Sequence, residues 1–274
     1  PVIIFGVLLG IILAKLREET QLVNDMFSQG NLIMMEMTSI VMKFAPIGVF
    51  CLMARTFAGL GFEGLVPLGK YVMCVIVALA VQAFVVYPML LVVFTRLNPI
   101  KFFRKFFSVM LFAFSSSTSN ATIPLNMEKL SEMGVSRDVS SFTIPLGATI
   151  NMDGTSIMQG CAVMFAAQAY GIDLGLSALI TVVFTAVMAS VGTAGVPSVG
   201  LVTLNMVFSS VGLPVDAIAI IMGIDHILDM IRTAVNVTGD AICTIIVSFR
   251  NNSFDRDVFN GKKEPDTHSS IDLF

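Results

Sequence analysis

Long apolar segments, separated by short polar breaks, occupy most of this chain. Residues 71–95 and 174–215 contain no charged side chain, and residues 139–172 contain a single one, Asp153. About 20 apolar residues in a helix cross the ~30 Å hydrocarbon core of a bilayer. The pattern predicts an all-α integral membrane protein, with long helices at about 2–16, 31–58 and 66–95.

Two segments, 99–133 and 176–212, have a different pattern, in which two short apolar arms flank a Ser- or Gly-rich break. The breaks are SSSTSNAT (Ser115–Thr122) and GTAGVPSVG (Gly192–Gly200). An arm of about 14 residues is only about 21 Å long as a helix, too short to span the membrane. Backbone at mid-membrane is tolerated where it meets protein or a water-filled cavity. We therefore predict two re-entrant helical hairpins.

Each predicted hairpin is followed by a helix with polar residues at its centre. The helix at 138–170 is interrupted by PLGATINMDGTS (Pro145–Ser156), and the last helix, 214–250, carries several charges. The spacing repeats as well, with 35 residues from the first tip to Asp153 and 34 from the second tip to Asp229. Interrupted apolar segments in matching positions indicate an inverted-repeat transporter.

The last predicted helix carries a polar stripe on one face. Its members follow one another in steps of 4, 3, 4 and 4 residues and fall within about 80° around the helix axis: Asp225, Asp229, Arg232, Asn236 and Asp240. Charges in a lipid-buried helix normally face a protein interior or a water-filled cavity, where they mark an ion or substrate path. The stripe has three acids and one base, so additional cations are needed for neutrality.

Arg232 is the only guanidinium deep in this helix, and its planar fork matches a carboxylate. An internal salt bridge with Asp225, Asp229 or Asp240 is the alternative. A ligand with two carboxylates and one amine would satisfy Arg232 and Asp229 together, which indicates an acidic amino acid. Ser119, at a hairpin tip with free backbone N–H groups, is placed to receive the second carboxylate.

The interrupted helix at 138–170 offers oxygen ligands for coupling cations. Gly147 and Gly154 lower helix stability, and Asn151 and Asp153 supply side-chain oxygens. Unwound backbone frees carbonyl groups, and with carboxylate and amide oxygens these suit a hard cation. The alternative is a Gly-kinked helix with a paired aspartate.

Composition and charge agree with a membrane protein. The 274 residues are 55% hydrophobic and 13% charged, whereas soluble domains are about 25% charged. With the basic loop 96–105 placed inside, most Lys and Arg lie on the same side and Lys70 lies on the other. This predicts a multi-pass protein of the plasma (inner) membrane, surrounded by lipids, with a polar, disordered cytoplasmic tail at 251–274. No nucleic-acid partner is expected.

The cysteines and the N-terminus add two expectations. Four cysteines without CxxC spacing favour small buried hydrophobes over a metal or redox role. The chain begins at Pro1 inside an apolar run without a signal-peptide pattern, so we expect the N-terminal part of a longer protein to precede it.

Four ordered motifs carry a family resemblance. They are SSSTSNATIP, NMDGT, GTAGVP and DxxxDxxRTxxNxxGD. With these motifs the chain resembles the glutamate transporter family, the dicarboxylate/amino acid:cation symporters. The resemblance implies a homotrimer in which an elevator-type transport domain, here about 62–250, moves against a scaffold of which 1–61 is a remnant. It also implies no enzymatic activity and no cofactor other than sodium ions or protons as coupling ions.

The resemblance further implies a set of ligand positions. Substrate would be held by Ser119, Thr155, Val196, Gly200, Asp229, Arg232, Thr233 and Asn236. Asp229 would take the ammonium and Arg232 the side-chain carboxylate. One sodium would lie on Gly147, Asn151, Asn236 and Asp240, and a second on Thr149, Met152, Ser190, Val191 and Thr193. A third would use Asp153 and Asn151 with a helix that this chain lacks.

The chain departs from the family at one feature and leaves alternatives open. Relatives have an additional arginine at one of two positions, which here are Ser117 and Met230. The leading hypothesis is symport of glutamate or aspartate with sodium, protons or both, and the alternative is a cystine or C4-dicarboxylate symporter. An intramembrane aspartyl protease is disfavoured because the YD and GxGD motifs that commonly contain its two catalytic aspartates are missing. A channel is disfavoured because two hairpins that enter from opposite sides of the membrane fit alternating access better than an open pore.

Overall fold

The computed structural model describes residues 2–16, 19–44, 47–48, 50–51, 54, 58, 65–191, 195, 198–215 and 217–264. The chain divides into two compact units, Pro1–Arg55 and Thr56–Phe274. All regular elements in the described residues are helices, apart from one isolated bridge between Val135 and Phe254. The expected all-α class is confirmed.

The first unit contains helices α1 (Val2–Lys15) and α2 (Gln21–Lys43). We expected the second helix to begin at about 31, and the structure begins it ten residues earlier. Leu22, Met26 and Phe27 repeat at helical spacing, so the helical pattern starts before the uninterrupted apolar run that suggested residue 31. Part of the predicted helix beyond Lys43 lies outside the described residues.

The second unit begins with a long helical rod. Helix α3 (Leu65–Val81) continues through a π-helical turn (Gln82–Val86) into α4 (Tyr87–Thr95). Pro88 lies just after this turn, and its missing N–H interrupts the regular hydrogen-bond ladder. The rod ends at Arg96, whose left-handed φ of 55° turns the chain.

Two pairs of short helices follow, and the two helices of each pair pack against each other. The first pair is α5 (Pro99–Ser116) and α6 (Ser119–Glu132), and the second is α9 (Leu176–Val191) and α10 (Val199–Ser210). The first turn is made by Ser117, with φ of 51°, and by the extended Thr118. Between the pairs lies a helix broken at residues 151–152 into α7 (Arg137–Ile150) and α8 (Asp153–Ala169).

The last long helix, α11 (Ala217–Arg250), is the centre of the second unit and packs against α3 to α8 and α10. By length and composition, the segments Val66–Thr95 and Ile221–Arg250 could each cross a membrane. The first is mostly exposed within this chain and the second mostly buried. Helix α11 therefore positions residues from both short helix pairs and from the broken helix around its polar face.

The C-terminal segment corrects one expectation. We expected residues 251–274 to be disordered, but residues 251–264 are ordered and contain helix α12 (Arg256–Asn260). Val258 and Phe259 are buried, and the Asp255 amide donates to the Gly134 carbonyl at 2.8 Å. The polar composition of the segment predicted disorder, although two of its few apolar residues pack against the rest of the protein. Residues 265–274 lie outside the described residues.

Candidate functional site

The polar stripe of α11 faces the interior of the second unit. Asp225 is 1% exposed and Arg232 is 2% exposed, and Asp229, Asn236 and Asp240 are buried to a similar degree. Burying charge is favourable only when each charge finds a partner or a ligand. The surroundings of the stripe therefore define a candidate binding site.

Arg232 lies between two aspartates of its own helix. Its Nη1 is 3.3 Å from Asp225 Oδ1, and its Nη2 is in close contact with Asp229 Oδ1. The second Asp229 oxygen, Oδ2, accepts from the backbone N–H of Ser198 at 2.9 Å, just before α10. The internal salt bridge that the sequence left open is thus present, and it is tied to the second short helix pair.

A cavity of about 10 Å³ lies beside this ion pair, which is room for about one water molecule. Its walls come from the turn of the first pair, from α8, from the start of α10 and from α11. All described residues of the expected substrate set line it: Ser119, Thr155, Gly200, Asp229, Arg232, Thr233 and Asn236. Val196 lies outside the described residues.

The turns of the two short helix pairs meet at this cavity. Thr118 Oγ1 donates to the Gly195 carbonyl at 2.6 Å, and the backbone N–H of Asn120 donates to the same oxygen at 3.3 Å. A Cβ on Gly195 would stand 2.9 Å from the Ala148 carbonyl oxygen, so only glycine fits there. These contacts hold the first turn against Gly195, which lines the cavity.

The first expected sodium set comes together around Asp240. Asn151 Nδ2 donates to Asp240 Oδ1 at 2.9 Å and to the Asn236 carbonyl at 3.3 Å. A Cβ on Gly147 would lie 2.7 Å from Asp240 Oδ1, so the α7 backbone approaches this carboxylate closely. The break in the helix places carboxylate, amide and carbonyl oxygens within one small volume.

The second expected sodium set is only partly assembled among the described residues. Ser190 is buried, and its Oγ accepts from Ser156 Oγ at 2.7 Å and donates to the Val187 carbonyl at 2.9 Å. The sequence did not single out Ser156. Thr149 and Val191 are exposed, and Thr149 Oγ1 donates to the Leu146 carbonyl at 2.9 Å. Met152 is buried and borders the cavity. Thr193 lies outside the described residues.

Asp153 has partners that the sequence reasoning missed. Its Oδ2 accepts from Gln82 Nε2 at 2.7 Å and from the Tyr87 hydroxyl, and its Oδ1 accepts from the Gly154 amide at 2.9 Å. We expected a helix outside this chain to complete the surroundings of Asp153, whereas these contacts come from the α3–α4 rod. The single Gln and the second of two Tyr residues in the charge-free run 71–95 were the available signal.

The described residues hold no group of three or more His, Cys, Asp or Glu side chains arranged for a metal ion. Cations at the Asp240 or Asp153 positions would therefore depend on amide and backbone carbonyl oxygens together with one carboxylate. Such mixed oxygen sets suit hard cations.

Comparison with known proteins gives consistent matches. The model of the sodium:dicarboxylate symporter family matches residues 1–249. The chain is 39% identical over 248 residues to a putative sodium-dependent excitatory amino acid transporter, glt-4, of Caenorhabditis elegans, covering 89% of this chain and 50% of that protein. It is 36% identical over 264 residues to excitatory amino acid transporter 1 of Homo sapiens, covering 94% of this chain and 49% of that protein. The chain thus spans about half the length of the curated relatives it matches.

Proposed function

Because the chain belongs to the sodium:dicarboxylate symporter family, we propose that it carries the substrate- and ion-binding part of a symporter for glutamate or aspartate. It is a membrane-embedded transport protein rather than an enzyme. The observation that carries the substrate assignment is the buried Arg232, held between Asp225 and Asp229 at the wall of the cavity.

An acidic amino acid would replace the internal ion pair between Arg232 and Asp229 with one ion pair to each of these residues. Its side-chain carboxylate would accept from the Arg232 guanidinium, and its ammonium would bind Asp229, so each half of the pair keeps a counter-charge. Ser117 and Ser119 line the same cavity, and Ser117 Oγ is buried without a hydrogen-bond partner among the described atoms. These hydroxyls would serve the second carboxylate.

Coupling cations would balance the acids that remain. Asp153, Asp225, Asp229 and Asp240 against Arg232 give a formal charge of −3 when all are ionised. We assign one sodium ion to Gly147, Asn151, Asn236 and Asp240, and a second to Thr149, Met152, Ser190, Val191 and Thr193. A third would bind at Asp153 and Asn151, with the α3–α4 rod fixing the Asp153 carboxylate.

The cavity volume supports an opening step. Room for about one water molecule is too small for an amino acid, so the turns that meet at Gly195 would have to separate before substrate enters. We assign the two short helix pairs as re-entrant hairpins that gate opposite sides of the membrane. Residues 62–250 form the moving transport domain of an elevator-type homotrimer, 1–61 belong to its scaffold, and the C-terminal segment is cytoplasmic.

Uptake into proteoliposomes made with the complete protein tests this function. With an inward sodium gradient we expect accumulation of labelled glutamate or aspartate, and replacing sodium at fixed pH should stop it. Uptake that persists without sodium and collapses with a protonophore would assign protons as the coupling ion. Accumulation of cystine or a C4-dicarboxylate, without that of glutamate or aspartate, would favour the alternative substrate.

A further inference from the structure

A second cavity, of about 450 Å³, is lined by residues of α3 and α8. Lys70 lies on its wall near the start of α3, and Gln168 lies near the end of α8. Because both helix ends border this cavity, it lies towards one end of the helix pair. Nothing in the proposed transport mechanism uses it.

Two cysteines from different helices lie side by side in this cavity. Cys74 Sγ on α3 is 3.8 Å from Cys161 Sγ on α8, although the two residues are 87 positions apart in the chain. Cys51, Cys74 and Cys243 are exposed and Cys161 is half-buried, so the expectation that the four cysteines are small buried hydrophobes is wrong. The thioether residue Met164, on the same wall as Cys161, adds a third sulfur to the cavity lining.

The distance between the two sulfur atoms is that of a van der Waals contact and is also compatible with a shared metal ion. A disulfide bond would hold them at about 2.05 Å, so 3.8 Å is a non-bonded pair of thiols. Two thiolates bound to one tetrahedral zinc ion at about 2.3 Å each are about 3.8 Å apart. The side chains therefore already stand at the separation that such an ion requires.

We propose that Cys74 and Cys161 form a binding site for a thiophilic divalent cation, such as Zn²⁺ or Cd²⁺. Thiolate and thioether ligands select soft and borderline metals. Binding converts both thiols to thiolates and releases two protons to solvent. The two cysteines supply half of a tetrahedral shell, and water or another side chain of the cavity completes it.

Occupancy of this site would join α3 to α8 directly. Helix α8 begins at Asp153, and α3 leads into the π-helical turn that holds Gln82 against this carboxylate. The metal would therefore stabilise the same pair of helices that surrounds the proposed third coupling-ion position.

Titration of the reduced, complete protein in detergent with Cd²⁺ tests this proposal. We expect a thiolate-to-cadmium charge-transfer absorption and protection of two thiols from maleimide. Cys74→Ser and Cys161→Ser should each weaken Cd²⁺ binding by at least about tenfold. Cys243→Ser is the matched control, because this exposed thiol lies on α11 outside the cavity lining, and it should bind Cd²⁺ like the wild type.

Wild-type Cd²⁺ affinity in Cys74→Ser would overturn the proposal, as would loss of the absorption in the Cys243→Ser control. Gel filtration and thermal unfolding check that each variant is folded. If Cys161→Ser does not fold, Cys74→Ser decides the question alone, because the exposed Cys74 side chain tolerates a small polar replacement.

Discussion

Gly147 on α7 is the position at which one added methyl group tests the proposed sodium site at Asp240. A Cβ at this position would lie 2.7 Å from Asp240 Oδ1 and 2.9 Å from its Cγ. Ordinary van der Waals contact begins at 3.4 Å. In Gly147→Ala the carboxylate must therefore move away by roughly 0.7 Å.

This displacement has a cost that can be worked from the neighbouring contacts. Asn151 Nδ2 donates to Asp240 Oδ1 at 2.9 Å, and a shift of that size takes the pair beyond hydrogen-bond distance. Losing a hydrogen bond to a charged group costs about 1.5–3 kcal/mol. Replacing glycine by alanine inside a helix raises the folding stability by about 0.5–1 kcal/mol, a gain that does not act on sodium binding. The carboxylate and the amide are both proposed sodium ligands, so sodium affinity should fall by about 10- to 100-fold.

Gly160→Ala on α8 is the matched control. A Cβ at Gly160 meets nothing within 4 Å, so this substitution gains helix propensity without a clash. It should raise the unfolding temperature slightly and leave sodium affinity unchanged. Sodium-dependent thermal stabilisation and the sodium dependence of aspartate binding, measured on the complete protein, report both quantities.

Equally tight sodium binding by Gly147→Ala and Gly160→Ala, with both variants folded, would refute this prediction. That result would mean that Asp240 and Asn151 do not contribute to a coupling-ion site. A loss of stability without a loss of sodium affinity would lead to the same conclusion.

Three further predictions concern the surroundings of the site and the C-terminal segment. Tyr87→Phe removes a donor to Asp153 and should lower the free energy of unfolding by about 1–3 kcal/mol, measured by chemical denaturation. Gly134→Ala should increase hydrogen exchange in α12, because Gly134 has a φ of 88° and its Cβ would meet the Asp255 carbonyl. The amides of Val258 and Asp257, with Lys263, hold the pKa of Asp255 below its ordinary value. Capping of α12 should therefore be complete above about pH 4 and weaken as pH falls through that lower value; Asp255→Asn should keep the cap and remove its pH dependence in the same exchange measurement.

Periodicity predicted much of the site, because burying charge constrains which helix face turns inward. The spacing from Asp225 to Asp240 placed the polar residues on one face of a helix, and the structure buries that face. The glycines and polar residues around Asn151 indicated the interruption between α7 and α8, since local helix propensity is weak there. These features depend on short-range backbone preferences and on helix geometry.

Tertiary pairing could not be predicted in the same way. The contacts of Asp153 with Gln82 and Tyr87 join residues at least 66 positions apart and depend on a π-helical turn that sequence patterns do not indicate. Whether Arg232 pairs internally or with a ligand depends on distances of a few ångströms. The docking of α12 depends on Val258 and Phe259, two apolar residues in a polar segment. In each case the decisive contact either joins residues that are far apart in the sequence or depends on side-chain distances of a few ångströms.

Substrate uptake by Arg232→Cys is the sharpest test of whether Arg232 binds the side-chain carboxylate of the substrate. Wild-type and variant proteins are reconstituted in proteoliposomes with a sodium gradient, and uptake of labelled aspartate, glutamate and a neutral amino acid is measured. Removing Arg232 leaves Asp225 and Asp229 buried without their partner, which destabilises the protein. Sodium-induced thermal stabilisation is therefore measured to check that the variant is folded. We predict that aspartate and glutamate uptake is lost, because the variant has no guanidinium for the side-chain carboxylate. Unchanged uptake of both acidic amino acids by a folded variant would show that Arg232 does not bind the substrate carboxylate.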